Sequence, residues 1–313
     1  MNTETRKKMA AWLTSTPGVI AALDQSGGST PEALSSYGIL NTAYQGETEM
    51  LELIHAMRVR LMTAPGFSSE RVIGAILFEH TMDRSIGAKS IPAYLWEDRG
   101  IISFLKVDSG REAEHDGVQL MKPMLNLSNL LERALEKGCL GTKMRSVVRS
   151  ASERGISAVV RQQFEVASTI LKNGLIPIIE PEVLVDSPDK AIAEAILVKE
   201  ILKNLSELAH GTKVILKLTL PSQPDLYAPL VEHPKVARVF ALSGGYSLKV
   251  ACEKLRENTG VIGSFSRALV ENLRVSMPDS EFSRNLSQNI EEIYLASTQK
   301  ARPRDAGHSS TVR

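Results

Sequence analysis

The chain has 313 residues, 43% of them hydrophobic, and 37 basic residues against 36 acidic ones give a formal net charge of +1. The length suits one large domain or two medium ones, and the near-neutral balance excludes a nucleic-acid binder that works by bulk charge. No apolar run approaches the roughly 20 residues of a membrane span, and two cysteines without a CxxC or Cys/His pairing, Cys139 and Cys252, argue against disulfides and structural zinc.

Read from the start, "MNTETRKKMAAWL" lacks the long apolar core and small-residue cleavage site of a secretory signal, and reads as an N-terminal helix. A reducing cytoplasm is the expected location. The first strand is predicted at "GVIAALD" (18–24), followed by a helix over "ETEMLELIHAMRVRLM" (47–62) and a strand at "VIGAILFE" (72–79). Strands at "IISFLKVD" (101–108) and "LGTKMRSVV" (140–148) flank a helix at "NLSNLLERALEKG" (126–138). Next come a helix at "SAVVRQQFEVASTILKNG" (157–174), a strand at "LIPIIEPE" (175–182) and a helix at "DKAIAEAILVKEILKNLSELAHG" (189–211). Asn-Gly and His-Gly end these two helices as ordinary stop signals. Strands at "KVILKLTL" (213–220), "ARVFALSGG" (237–245) and "GVIGSFSRAL" (260–269) complete a set of eight.

Eight strands with mostly helical crossovers and no linker predict a parallel α/β protein. A single (β/α)8 TIM barrel over 1–300, with the N-terminal helix, accommodates all eight, and 301–313 read as a mobile polar tail. On pattern alone an open doubly wound sheet stays open as the alternative.

Lys217 interrupts the apolar run "VILKLTLPS" (214–222). Side chains alternate across a strand, so Val214, Leu216, Leu218 and Leu220 share one face and Ile215, Lys217 and Thr219 the other. The leucine face suits a helix layer, which points Lys217 into whatever the sheet encloses. Other strand candidates carry the same signature late in the run: Asp24, Lys106 and Asp108, Lys143 and Arg145, Glu180 and Glu182, Ser243, and Arg267. Any one of these reads as a solvated strand end. Seven of eight strands doing so suggests a shared mouth, because the carboxyl ends of barrel strands converge where active sites are built.

Crowded cations and an enclosing wall disfavour an ammonium, so a lysine there can lose its proton. A neutral lysine attacks a ketone or aldehyde to give a Schiff base, and the imine activates the neighbouring carbon for bond cleavage. Glu180 and Asp24 are suitable in type for the proton traffic. A structural salt-bridge network explains the same residues equally well at this level. "SGGYS" (243–247) leaves the seventh strand and enters a helical run, and such a glycine-rich start makes an anion site. "DQSGGS" (24–29) is a second serine–glycine loop, so the two can hold the ends of a bisphosphate. His80 in "FEHTMD" and His115 in "EAEHDG" read as surface loops rather than metal ligands, so no metal site is expected.

The stretches "ALDQSGGS", "FLKVDSG", "GTKMRSVV", "PIIEPEVL", "VILKLTL", "LSGGYS" and "SFSRAL", in this order from about residue 18 to 269, resemble the class I, metal-independent Schiff-base fructose-bisphosphate aldolases. The resemblance implies reversible cleavage of fructose 1,6-bisphosphate in glycolysis and gluconeogenesis, without a cofactor. It implies that Lys217 forms the imine, Glu180 is the general acid/base and Asp24 assists cleavage between carbons three and four. Lys143 serves the carbinolamine, with Glu182 and Arg145 in its charge network. Ser243, Gly244, Gly245, Ser266 and Arg267 fall at the carbon-one phosphate, and Ser26, Ser29 and Lys106 at the carbon-six phosphate. The partner implied is a small sugar phosphate, not a nucleic acid or a membrane, and a homo-oligomer is compatible with it.

Three departures stand out. The chain ends "SSTVR", without the terminal tyrosine of animal members, and its last tyrosine is Tyr294. Glu32 and Ala33 occupy the positions of a basic pair, and Ser266 replaces a usual glycine. The look is microbial. Two rival readings are a Schiff-base aldolase for another substrate, a tagatose bisphosphate or a transaldolase-like donor, and a non-catalytic phosphate-binding or cytoskeleton-associated scaffold.

Overall fold

The computed structural model describes residues 2–26 and 28–301; residues 302–313 of the expected tail lie outside the described residues. Eight parallel strands form the barrel wall: β1 Val19–Leu23, β2 Val72–Leu77, β3 Ile102–Lys106, β4 Gly141–Val148, β5 Ile176–Val183, β6 Val214–Thr219, β7 Val236–Leu242 and β8 Val261–Gly263. They are hydrogen-bonded in sequence order, each to the next. The ladder is open only between β8 and β1, where the Ala22 N–H donates to the Phe265 carbonyl at 3.1 Å and nearly closes the ring.

Alternation along each strand divides the apolar residues into two layers. Val214, Leu216, Leu218 and Leu220 belong to the layer between sheet and helices. Ile215 instead joins Ile20, Ile102, Phe104, Ile178, Phe240 and Ile262 inside the barrel. The parity reading of the Lys217 strand therefore holds. Met9, Trp12 and Leu13 of the N-terminal helix Thr3–Ser15 pack onto the same interior cluster. That helix plugs the end of the barrel opposite the polar mouth, and each fully buried apolar side chain contributes about 1.5–3 kcal/mol.

Helices follow where the periodicity put them, at Gly46–Thr63, Leu127–Lys137, Glu153–Lys172, Lys190–Glu207 and Leu248–Arg256. Four details differ from the sequence reading. The helix predicted from 157 begins at Glu153, because the Ser152 hydroxyl accepts from the Gly155 N–H at 3.1 Å and caps it. The helix expected to reach His210-Gly211 stops at Glu207, where buried Leu208 turns inward and Lys235 Nζ donates to the Ser206 and Leu208 carbonyls. The eighth strand ends at Gly263, whose N–H goes to the Ser297 hydroxyl at 3.0 Å, and Arg267–Val270 is a short helix instead. The connection after β3 also carries a short strand, Val118–Gln119, that pairs antiparallel with β4. No described helix is long and apolar enough to cross a membrane.

Candidate active site

A cavity of about 550 Å³ opens at the carboxyl end of the barrel. Strands β1 and β3–β7 contribute to its wall, β8 does so through the residues that follow it, Ser264, Ser266 and Arg267, and no residue of β2 lines it. Lys217, Lys143 and Glu180 lie at its floor and are 3–4% exposed. Asp24, Glu182, Arg145, Lys106, Ser26, Ser29, Ser243, Gly244, Ser266 and Arg267 line it as well. Gly245 is not itself in the lining but lies at its edge, where a Cβ would come within 3.5 Å of the Arg267 guanidinium.

The floor is one continuous charge cluster. Lys143 Nζ donates to Asp24 Oδ2 at 2.7 Å and lies 2.6 Å from Glu180 Oε2, an ion pair without hydrogen-bond alignment. Glu180 Oε1 is 3.1 Å from Lys217 Nζ, so one carboxylate touches both lysines. Register sets the levels: Lys106 of β3 sits opposite Lys143 of β4, Lys143 opposite Ile178 of β5, and Glu180 one inward step further along β5 opposite Arg145, so Lys143 and Glu180 lie on adjacent levels of neighbouring strands. Glu180 is held from behind, where its N–H donates to Gln163 Oε1 at 2.9 Å.

Charge states follow from these contacts. Burial opposes the charge of Lys143, yet Asp24 and Glu180 override it and raise its ammonium above the ordinary lysine value. Burial likewise opposes ionisation of Asp24, but Lys143, with Lys217 and Lys106 behind it, holds that carboxyl well below its ordinary value. The sequence reading placed crowded cations here, and the structure interleaves them with carboxylates. Lys143 is thereby fixed as a cation.

The phosphate candidates are similarly engaged. Lys106 Nζ donates to the carboxylate and the backbone carbonyl of Asp108, both at 2.7 Å. Arg145 pairs with Glu182 at 2.9 Å, and burial is outweighed by Glu182 and Glu180, which raise its guanidinium above the usual value. Arg267 reaches Glu32 across the rim at 3.0 Å. Gly244 has φ +61°, and a Cβ there would lie 2.6 Å from Val185 Cγ1, so the loop after β7 needs glycine to turn over the cavity. The helix behind this loop starts only at Leu248, whose N–H already donates to Glu271 Oε2 at 2.7 Å. A carboxylate thus already takes this N–H of the helix start that the sequence offered to an anion.

Several lining groups escaped the sequence reading. Gln25 donates from Nε2 to the Ser266 hydroxyl at 2.7 Å and joins the loops after β1 and β8. Its carbonyl accepts from Arg58, an arginine that is fully buried and also donates to Thr81 Oγ1 at 2.9 Å. Arg111 and Gln119, from the connection after β3, complete the wall. His80 lies away from the cavity beside Glu52 and Arg84, and His115 is an exposed side chain near Asp116.

Fold and cavity together define a barrel enzyme whose mouth is built for lysine–carboxylate chemistry on an anionic substrate. The family model described as "Fructose-bisphosphate aldolase class-I" matches residues 5–256. The class 1 fructose-bisphosphate aldolase of Synechocystis sp. is 52% identical over 95% of this chain and 97% of its own, and that of Clostridium acetobutylicum is 51% identical over 90% and 95%. The chain belongs to the class I fructose-bisphosphate aldolase family. A solved fructose-bisphosphate aldolase from Plasmodium falciparum shares the fold at a TM-score of 0.77 and 21% identity, over 96% of this chain and 97% of that one.

Proposed function

We propose that the chain, with residues 1–300 acting as one barrel domain, reversibly cleaves fructose 1,6-bisphosphate to dihydroxyacetone phosphate and glyceraldehyde 3-phosphate in the cytoplasm. The observation that carries this reading is the buried Lys217 amine, 3.1 Å from Glu180 and in one cluster with Lys143 and Asp24. In the open-chain ketose the Lys217 amine adds to the carbon-two carbonyl and forms a carbinolamine. Loss of water, with Glu180 passing protons and the Lys143 ammonium at the departing hydroxyl, leaves a protonated imine.

The bond between carbons three and four then breaks. Its electron pair moves into the imine to give an enamine, and the carbon-four hydroxyl passes its proton to the Glu180 carboxylate as glyceraldehyde 3-phosphate departs. Protonation of the enamine at carbon three and addition of water at the imine release dihydroxyacetone phosphate and the free amine. Asp24 is held as a carboxylate by Lys143, which makes it a weak proton acceptor. Its part is to stay charged beside the cationic imine and orient the hydroxyl at carbon four, where low local dielectric makes a fixed charge effective.

Ser243, the Gly244 and Gly245 loop, Ser266 and Arg267 receive the carbon-one phosphate, Arg267 exchanging Glu32 for it. Ser26, Ser29 and Lys106 serve the carbon-six phosphate, and Glu182 with Arg145 keeps the wall between them charged and ordered. The test is turnover of fructose 1,6-bisphosphate beside tagatose 1,6-bisphosphate, with Lys217→Met as the control. Faster cleavage of the fructose isomer and none by the variant is expected. Faster cleavage of the tagatose isomer would assign the other substrate, and ligand binding without turnover would make the chain a scaffold.

A further inference from the structure

Six cations line the mouth, and five of them have a carboxylate within 3.1 Å. Arg111 is the exception: among the described residues its guanidinium meets only the neutral amide oxygen of Gln119, at 3.4 Å. It is half-buried beside Arg145, and burial followed by that like charge pushes its guanidinium below the ordinary value. A partly desolvated cation next to another cation is unfavourable unless an anion joins it.

Its backbone is well held. Arg111 bridges antiparallel to Met121, the Glu112 N–H donates to the Leu120 carbonyl at 2.9 Å, and the Lys122 N–H donates to the Gly110 carbonyl at 3.0 Å. The returning strand Val118–Gln119 is in turn paired with β4, so Gln119 offers its amide to Arg111 from the barrel wall. In a ring of eight strands β3 stands opposite β7. Arg111, after β3, therefore faces the glycine loop after β7 across the mouth. The neighbouring rim after β1 supplies Glu32 and Ala33, and Lys106 is tied to Asp108.

We propose that Arg111 is a substrate-binding residue that takes the phosphate at the end of the ketose remote from the Ser243–Gly245 loop. The guanidinium fork pairs with phosphate oxygens in two parallel hydrogen bonds, which an ammonium cannot reproduce. The proposal rests on the reading of the mouth as a ketose bisphosphate site. Arg111→Gln is expected to raise KM for fructose 1,6-bisphosphate about 10-fold or more. Fructose 1-phosphate, which lacks the remote phosphate, is expected to keep its wild-type KM and kcat. Arg111→Lys should recover part of the loss for the bisphosphate alone.

An equal loss on both substrates, or no change on the bisphosphate, overturns the proposal. Borohydride trapping with dihydroxyacetone phosphate separates it from the underlying reading, since that triose lacks the remote end. Normal trapping by Arg111→Gln shows an intact, folded site. Absent trapping in the wild type defeats the imine reading, while Arg111 is still decided by the ratio of the two KM values.

Discussion

Replacing Lys143 by methionine removes the one cation that touches both Asp24 and Glu180, at 2.7 and 2.6 Å. Methionine keeps much of the volume, so the loss is mainly electrostatic. Removing one partner of a buried ion pair typically destabilises by about 3–5 kcal/mol, because the remaining charge stays buried without compensation. With an unfolding entropy of about 2.1 cal/mol/K per residue, a chain of 313 residues converts this to a melting point roughly 5–8 °C lower at pH 7. The pH dependence has a definite sign. In the wild type Asp24 is held below its ordinary value of 3.8, so its stabilisation is complete above that value and is lost as pH falls through the depressed one. In the variant, burial, the largest influence on Asp24, is opposed only by Lys217 and Lys106, so its carboxyl rises from its wild-type position and the slope shifts toward stabilisation of the folded state by protonation. The gap between wild type and variant should therefore narrow as pH is lowered from 7 to 5. Calorimetric unfolding across that range reads both effects. A variant that melts with the wild type, or a gap constant with pH, would refute the coupling of Lys143 to the two carboxylates.

Three further outcomes are expected. Glu32→Gln frees Arg267 from a pair whose members are half exposed or more, worth about 0.2–1 kcal/mol. It should lower KM for the bisphosphate by roughly 1.4- to 5-fold at low salt, and a higher KM would contradict a competing role for Glu32. Gly244→Ala forces a side chain onto a φ of +61° and against Val185, so KM should rise while folding survives; an unchanged KM in steady-state assays would show that this loop does not hold phosphate. His55 is lowered to about 4 by burial and then by Arg84, below its ordinary 6.5. The unfolded chain therefore binds the extra proton in that window, and stability falls as pH drops from 6.5 toward 4. In His55→Gln the melting point should fall less steeply over that interval than in the wild type.

The strands were legible because most carry two constraints at once, an apolar face for the helices and a polar residue at or just after one end. Lys217 illustrates this: the leucines beside it fixed its direction before any neighbour was known. The pairing of Lys143 with Asp24 was not legible, since the partners lie 119 residues apart and meet only when the ring forms. Glu271 at the start of the helix behind the glycine loop is non-local in the same way. Arg58 did leave a signal, sitting at helical spacing among Ile54, Met57 and Leu61 on a buried face, which is unusual for arginine without a polar target. Arg111 left none. The hairpin that holds it is short, its outgoing arm is polar, and only the pairing of its returning arm with β4 reveals where it points.

The proposed cleavage turns on an imine at Lys217. Borohydride reduction in the presence of dihydroxyacetone phosphate, followed by peptide mapping, tests it most directly. One triose adduct on Lys217, and none in Lys217→Met, is expected. An adduct on Lys143, or no adduct while cleavage proceeds, would contradict it.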